Sequence, residues 1–117
     1  MSEIIYWVLV LKIHDGQTAA FKALSAELIA SSQNEPGTLN YEWSLSEDGT
    51  SSHIYERYVN SAAIKAHIAN NGDQVGRLFA MASPISMVIY GSPDDEVRRD
   101  LAGLNPVYMV PLGGFGR

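Results

Sequence analysis

The sequence predicts an α+β domain in which helices pack on one face of an antiparallel sheet, and three observations carry that expectation. Segments with period-two hydrophobicity and segments with helical spacing follow one another as strand, helix, strand, strand, helix, strand. The turn-forming stretch EDGTSS between the second and third strands is too short for a parallel crossover, so those strands form an antiparallel hairpin. At 117 residues, with 46% hydrophobic and 18% charged side chains, the chain holds one globular domain and one core.

The first strand, residues 4–13, combines β-branched and aromatic side chains with no polar interruption before Lys12, the pattern of a strand covered on both faces. From Gln17 to Asn34 the residues Phe21, Leu24, Leu28 and Ile29 form a helical stripe, which Glu35-Pro36-Gly37 ends. TLNYEWSLS alternates Leu39, Tyr41, Trp43 and Leu45 against Asn40, Glu42 and Ser44, and HIYERYV alternates in its turn. Asn60 or Ser61 can cap a second helix carrying Ile64, His67 and Ile68. Gly72 is expected to break it, and Asp73 to start another carrying Val75, Leu78, Phe79 and Ala82. PISMVIYG is the fourth strand.

This order is the split βαβ arrangement of the ferredoxin-like fold, βαββαβ, over a core of about residues 4–92. Helices cover only one face of such a sheet, whereas the first strand is apolar on both. A partner sheet is the simplest cover for the second face. In the remainder, 93–117, Asp94, Asp95 and Glu96 suit a helix start, with Arg98 and Arg99 following at i+4 spacing. Those acids read as capping rather than metal-binding. The extended, proline-containing VYMVPL suits a sheet edge or an arm, and is expected to reach onto a dimer partner.

Composition excludes several chemistries. With no cysteine there is no disulfide, thiolate metal site, iron–sulfur cluster or thiol nucleophile. A formal charge of −5 with dispersed basic residues disfavours nucleic acid. The longest apolar run, IIYWVLVL, is less than half of the ~20 residues a membrane helix needs. No basic region or cleavage site precedes it, so the expectation is a cytoplasmic protein.

His14, His53 and His67 fall on different elements, with no partner at HxH or HExxH spacing, and no metal is expected. His14 and His53 sit at strand ends and should be exposed. His67 lies in the apolar stripe of its helix, so its ring should face the sheet, either as a buried imidazole with one hydrogen bond or as a site residue. On the preceding strand, Ile54, Glu56 and Tyr58 share one face and His53, Tyr55, Arg57 and Val59 the other. Strand parity leaves open which set meets His67. Trp7, Trp43 and Tyr41 suit core or dimer packing. GSPDD and GGFGR lack the spacing of phosphate or dinucleotide loops, and no serine stands in a GxSxG elbow.

The segments EPGTLNYEWSLSEDG and HIYERYVNSAAIKAHIAN resemble the antibiotic biosynthesis monooxygenase family, whose members are dimeric α/β-barrels with a ferredoxin-like protomer. The likeness spans about residues 4–92. It implies two sheets facing each other across a homodimer and a cavity between sheet and helices. It places Ile54, Glu56, Tyr58 and His67 toward that cavity, together with Ile5, Trp7, Leu9 and Leu11. The chain departs from the quinol-oxidising members at Ile54, Tyr58 and Ile64, and from the haem-degrading relatives at Leu9 and His67.

The function this implies is a cofactor-independent monooxygenase or oxidase that deprotonates a small electron-rich aromatic, a quinol or phenol, for direct reaction with dioxygen. His67, Glu56 and Tyr58 are the implied catalytic residues, and Trp7, Ile54, Ile64 and Leu9 the substrate-binding ones. The same acid–base pair would serve a cofactor-free isomerase or decarboxylase of a small carbonyl metabolite. A third alternative is a non-catalytic, ligand-binding, stress-related dimer with a structural Glu56–His67 pair.

Overall fold

Strand β1 (Ile5–Ile13) runs through the middle of the sheet because its alternate side chains Ile5, Trp7, Leu9, Leu11 and Ile13 are all buried beneath the helices. The computed structural model describes residues 3–117. After β1 come α1 (Thr18–Ser32), β2 (Thr38–Leu45), β3 (Ser51–Tyr58), α2 (Ser61–Met81) and β4 (Ala82–Tyr90). The strand order is β2-β3-β1-β4 with every neighbour antiparallel, the ferredoxin-like arrangement. Phe21, Leu24 and Leu28 of α1 and Ala63, Ile64 and Leu78 of α2 pack onto β1 to form the core. Each such aliphatic side chain stabilises the fold by roughly 1.5–3 kcal/mol relative to exposure.

The second helix departs from expectation. It is one continuous element through Gly72, and β4 begins directly at Ala82, which the sequence pattern puts in the helix. A Cβ at Gly72 would meet nothing within 4 Å, so this glycine faces open space and costs the helix only about 1 kcal/mol. Burial of Ile64, His67, Asn71 and Leu78 on the opposite stripe outweighs that cost. Asn60 caps the helix, its side-chain oxygen accepting from the Ala63 N–H at 3.0 Å.

The C-terminal region also differs. Helix α3 (Asp95–Leu101) is capped by Asp94, which accepts from the Val97 N–H at 2.9 Å, and it buries Val97 and Leu101. Beyond a left-handed Asn105, φ 51°, the residues Val107–Met109 form β5, which pairs in parallel with β4 of the same chain. The first part of the expected arm is thus the fifth strand of its own sheet. The guanidinium of Arg98 lies 3.8 Å from the centre of the Tyr108 ring and ties α3 to β5.

The face away from the helices carries an exposed apolar patch toward β4 and β5, beside polar Asn40, Glu42, Ser44, His53 and Arg57 on β2 and β3. Tyr6, Tyr90, Val107 and Met109 are 39%, 37%, 57% and 47% exposed. Tyr6 stacks on Tyr90 at 4.9 Å and meets Tyr55 edge-on at 6.4 Å. Ile85, squeezed out by a bulge where β1 and β4 shift register, is exposed as well.

Candidate active site

Strand alternation and helix phase bring the acidic and imidazole groups together. Glu56 on β3 lies between Trp7 of β1 and Tyr41 of β2 in the same cross-strand row, and Tyr58 follows two residues on, still facing the helices. Helix α2 lays His67 over this row. The ring of His67 is 4.9 Å from that of Tyr41 and 5.4 Å from that of Tyr58, and Tyr58 packs against Trp7 at 5.0 Å. Of the two faces of β3, it is the one with Ile54, Glu56 and Tyr58, and not the one with His53, Tyr55, Arg57 and Val59, that turns toward His67, which Glu56 and Tyr58 reach. His14 and His53 are exposed.

His67 stands between two carboxylates. Its Nε2 is 3.6 Å from Oε1 of Glu56, within ion-pair range but beyond hydrogen-bond length. Its Nδ1 is 2.8 Å from Oε1 of Glu35. Glu35, in the turn that ends α1, accepts hydrogen bonds from three side chains beside this imidazole. Thr38 Oγ1 reaches Oε1 at 2.7 Å, and the side-chain amides of Asn70 and Asn71 reach Oε2 at 2.7 and 2.9 Å.

The two carboxyls are pushed apart electrostatically. Burial in the apolar core lifts Glu56 above the ordinary carboxylate range, and the nearby imidazole, the donated Tyr58 hydroxyl and the Trp7 indole only partly offset it. Burial acts on Glu35 too, but the donors from Asn70, Thr38 and His67 outweigh it and hold Glu35 below the usual value. Desolvation and the charge of Glu56 raise both Tyr58 and Tyr41, so these phenols stay protonated. The Trp7 N–H influences Glu56 without reaching hydrogen-bond geometry, which leaves Trp7 Nε1 a buried donor with no bonded partner among the described residues.

Trp7, Leu9, Ile54, Glu56, Tyr58, Ile64 and His67 are each at most 6% exposed. Leu9 and Ile54 pair across β1 and β3 in the row beside Trp7 and Glu56. A groove of about 510 Å³ lies along the seam of α1 and α2, where Glu35, Gly37, Val59, Ala63, Ala66 and Asn70 line it. None of the seven predicted residues borders that groove; Glu35 does. Sequence reading missed Glu35, Asn70 and Asn71. One signal was available: a negative charge at the C-terminal end of a helix opposes the helix dipole and calls for a partner elsewhere.

The comparisons agree with this architecture. No curated protein matches the chain. Among solved structures, MupZ from Pseudomonas fluorescens superimposes with a TM-score of 0.87 at 26% identity, over 99% of this chain and 96% of that one, so the likeness takes in α3 and β5. Rv0793 from Mycobacterium tuberculosis gives 0.68 at 18% identity, over 79% of this chain and 97% of the other. SnoaB, a cofactor-independent oxygenase from Streptomyces nogalater, gives 0.67 at 17%, over 80% and 96%. At those two identities the likeness is one of fold. The family model described as antibiotic biosynthesis monooxygenase matches residues 4–72, the stretch that holds Glu35, Glu56, Tyr58 and His67. On that match the chain belongs to the antibiotic biosynthesis monooxygenase family.

Proposed function

We propose that the protein is a homodimeric, cofactor-independent monooxygenase that acts on a small electron-rich aromatic, a quinol or an anthrone-type phenol. The observation that carries this reading is the imidazole of His67, shielded from water by aromatic rings and held between Glu35 and Glu56. In such a site His67 takes a proton from the substrate and leaves a delocalised anion. That anion transfers an electron to dioxygen, and the radical pair joins in a C–O bond to give a peroxide. The proton returns from His67 to the peroxide, whose O–O bond breaks to release water and leave a carbonyl. In an anthrone-type phenol a methylene and dioxygen thereby become a carbonyl and water, with no external reductant.

Tyr58 and Glu56, joined by the Tyr58 hydroxyl, stand at the phenolate oxygen, and the Trp7 N–H, without a bonded partner among the described residues, is a further donor. Ile54, Ile64 and Leu9 form the apolar wall against which the ring lies. A second copy covers the exposed outer face of the sheet, whose tyrosine and valine side chains suit a large apolar interface.

The test is dioxygen uptake by protein stripped of metal and flavin, with a panel of quinols and anthrone-type phenols. Uptake with one labelled oxygen atom in the product supports the reading, and its absence across the panel overturns it. A second reading is favoured by the opposite shifts of Glu56 and Glu35, since two carboxyls pushed apart suit acid–base chemistry alone. In that reading the protein isomerises or decarboxylates a small carbonyl compound, and turnover persists when oxygen is removed.

A further inference from the structure

We propose that Glu35 is the positioning residue of this site: clamped by two asparagine amides, it fixes His67 with its proton on Nδ1 and presents a bare Nε2 to Glu56. Its part in turnover rests on the reading of His67 as the base. The tautomer itself does not.

The donors and acceptors around Glu35 and His67 point to this tautomer. Oε2 of Glu35 receives the amide nitrogens of Asn70 and Asn71. Asn70 Nδ2 also lies 3.3 Å from the carbonyl oxygen of Ser31, and Asn71 Nδ2 lies 3.0 Å from that of His67. A carbonyl only accepts, so both amides must offer their nitrogens here. Oε1 receives the Thr38 hydroxyl and faces Nδ1 of His67 at 2.8 Å. An ionised carboxylate has no proton to give, so Nδ1 carries one, and in the neutral ring Nε2 keeps its lone pair. The other titratable groups facing the ring are Glu56 and Tyr58 of β3 and Tyr41 of β2. On the Nδ1 side, Asn71 Nδ2 at 3.2 Å and Ser32 Oγ at 3.4 Å both lie farther off than Glu35 Oε1, and the two Asn71 amide hydrogens are already directed at Glu35 Oε2 and the His67 carbonyl.

The clamp makes the isosteric change Glu35→Gln informative. A carboxamide has one oxygen, and two asparagine donors demand it at the Oε2 position. The new NH2 group then falls at the Oε1 position, where the Thr38 hydroxyl can turn to accept. The Nδ1 of His67 must accept as well, and the ring proton moves to Nε2. The imidazole is then a donor toward Glu56 and no longer a base. Glu35→Asp keeps two acceptor oxygens and with them the original tautomer.

The experiment is a long-range proton–nitrogen spectrum of the imidazole rings at about pH 8.5, where histidines of ordinary pKa are neutral, with His67 assigned by its loss in His67→Gln. Wild type and Glu35→Asp should show protonated Nδ1 and bare Nε2, and Glu35→Gln the reverse. Protonated Nε2 in the wild type overturns the inference, even if Glu35→Gln fails to fold. So does an unchanged tautomer in folded Glu35→Gln. Where a substrate turns over, Glu35→Gln should lower kcat by about 10²–10⁴-fold with little change in KM, and Glu35→Asp should restore most of it. Because the spectrum needs no substrate, a failed uptake assay beside the stated tautomers sinks the oxygenase reading alone.

Discussion

Oε1 of Glu35 and Nδ1 of His67 lie 2.8 Å apart although 32 positions separate them in the chain. The turn between them makes this possible. Pro36 prevents α1 from continuing, and Gly37 lets the backbone approach α2 so closely that a Cβ on it would stand 2.5 Å from the Cβ of Ala63. The Glu-Pro-Gly stretch thus supplies the carboxylate, ends the helix and seats the turn.

Gly37→Ala should therefore destabilise the protein by about 1–3 kcal/mol through overpacking against a helix backbone that cannot retreat. Urea unfolding measures the loss. If Gly37→Ala is combined with Ala63→Gly, part of it should return, because the two methyl groups collide with each other; strict additivity of the two changes would contradict the contact.

The shift of Glu56 has a sign that can be tested. Its carboxyl is raised above 4.5 in the folded state, so the native state binds the proton more tightly than the unfolded one. That contribution is fully present below about pH 4.5 and is lost as the pH rises through the folded value. Glu56→Gln should thus raise Tm at pH 7.5 by about 3–6 °C, with the gain vanishing near pH 4. Glu35, lowered in the folded state, contributes above 4.5 and loses its contribution as the pH falls. Thermal melts of Glu56→Gln that show no gain at neutral pH would contradict the burial cost.

The open face of the sheet predicts self-association. Val8 projects from the middle of that face between Tyr55 and Val88 of the flanking strands. Wild type should sediment as a dimer, and Val8→Glu should weaken association at least 100-fold by placing two like charges in an apolar seam. Unchanged sedimentation of Val8→Glu would place the interface elsewhere.

Arg98→Ala tests the attachment of β5. Loss of the cation–π contact with Tyr108 should cost about 0.5–1 kcal/mol. Amide exchange should accelerate at Val107–Met109 while the rest of the sheet keeps its protection. Uniform exchange across β4 and β5 would show that the arginine does not hold the strand.

Period-two and helical patterns made most of the fold legible, because β1, β3 and α1 each bury one regular stripe, and the burial of Ile54, Glu56 and Tyr58 follows from a single phase. Gly72 misled because its cost is local while the buried residues on either side act together. The strand Val107–Met109 read equally as an edge or as an arm onto a partner, because its three residues are defined by the edge they join. His67 and Glu56 were visible as polar residues on apolar stripes. Glu35 was not, since its partners come from α2 and the following strand and no local spacing records them.

The central claim is that His67 removes the substrate proton, and dioxygen consumption compared between wild type and His67→Ala tests it most directly. The account predicts quinol- or anthrone-dependent uptake in the wild type, a fall of about 10²–10⁴-fold in His67→Ala, and partial recovery with added imidazole. Uptake by His67→Ala at the wild-type rate would contradict it.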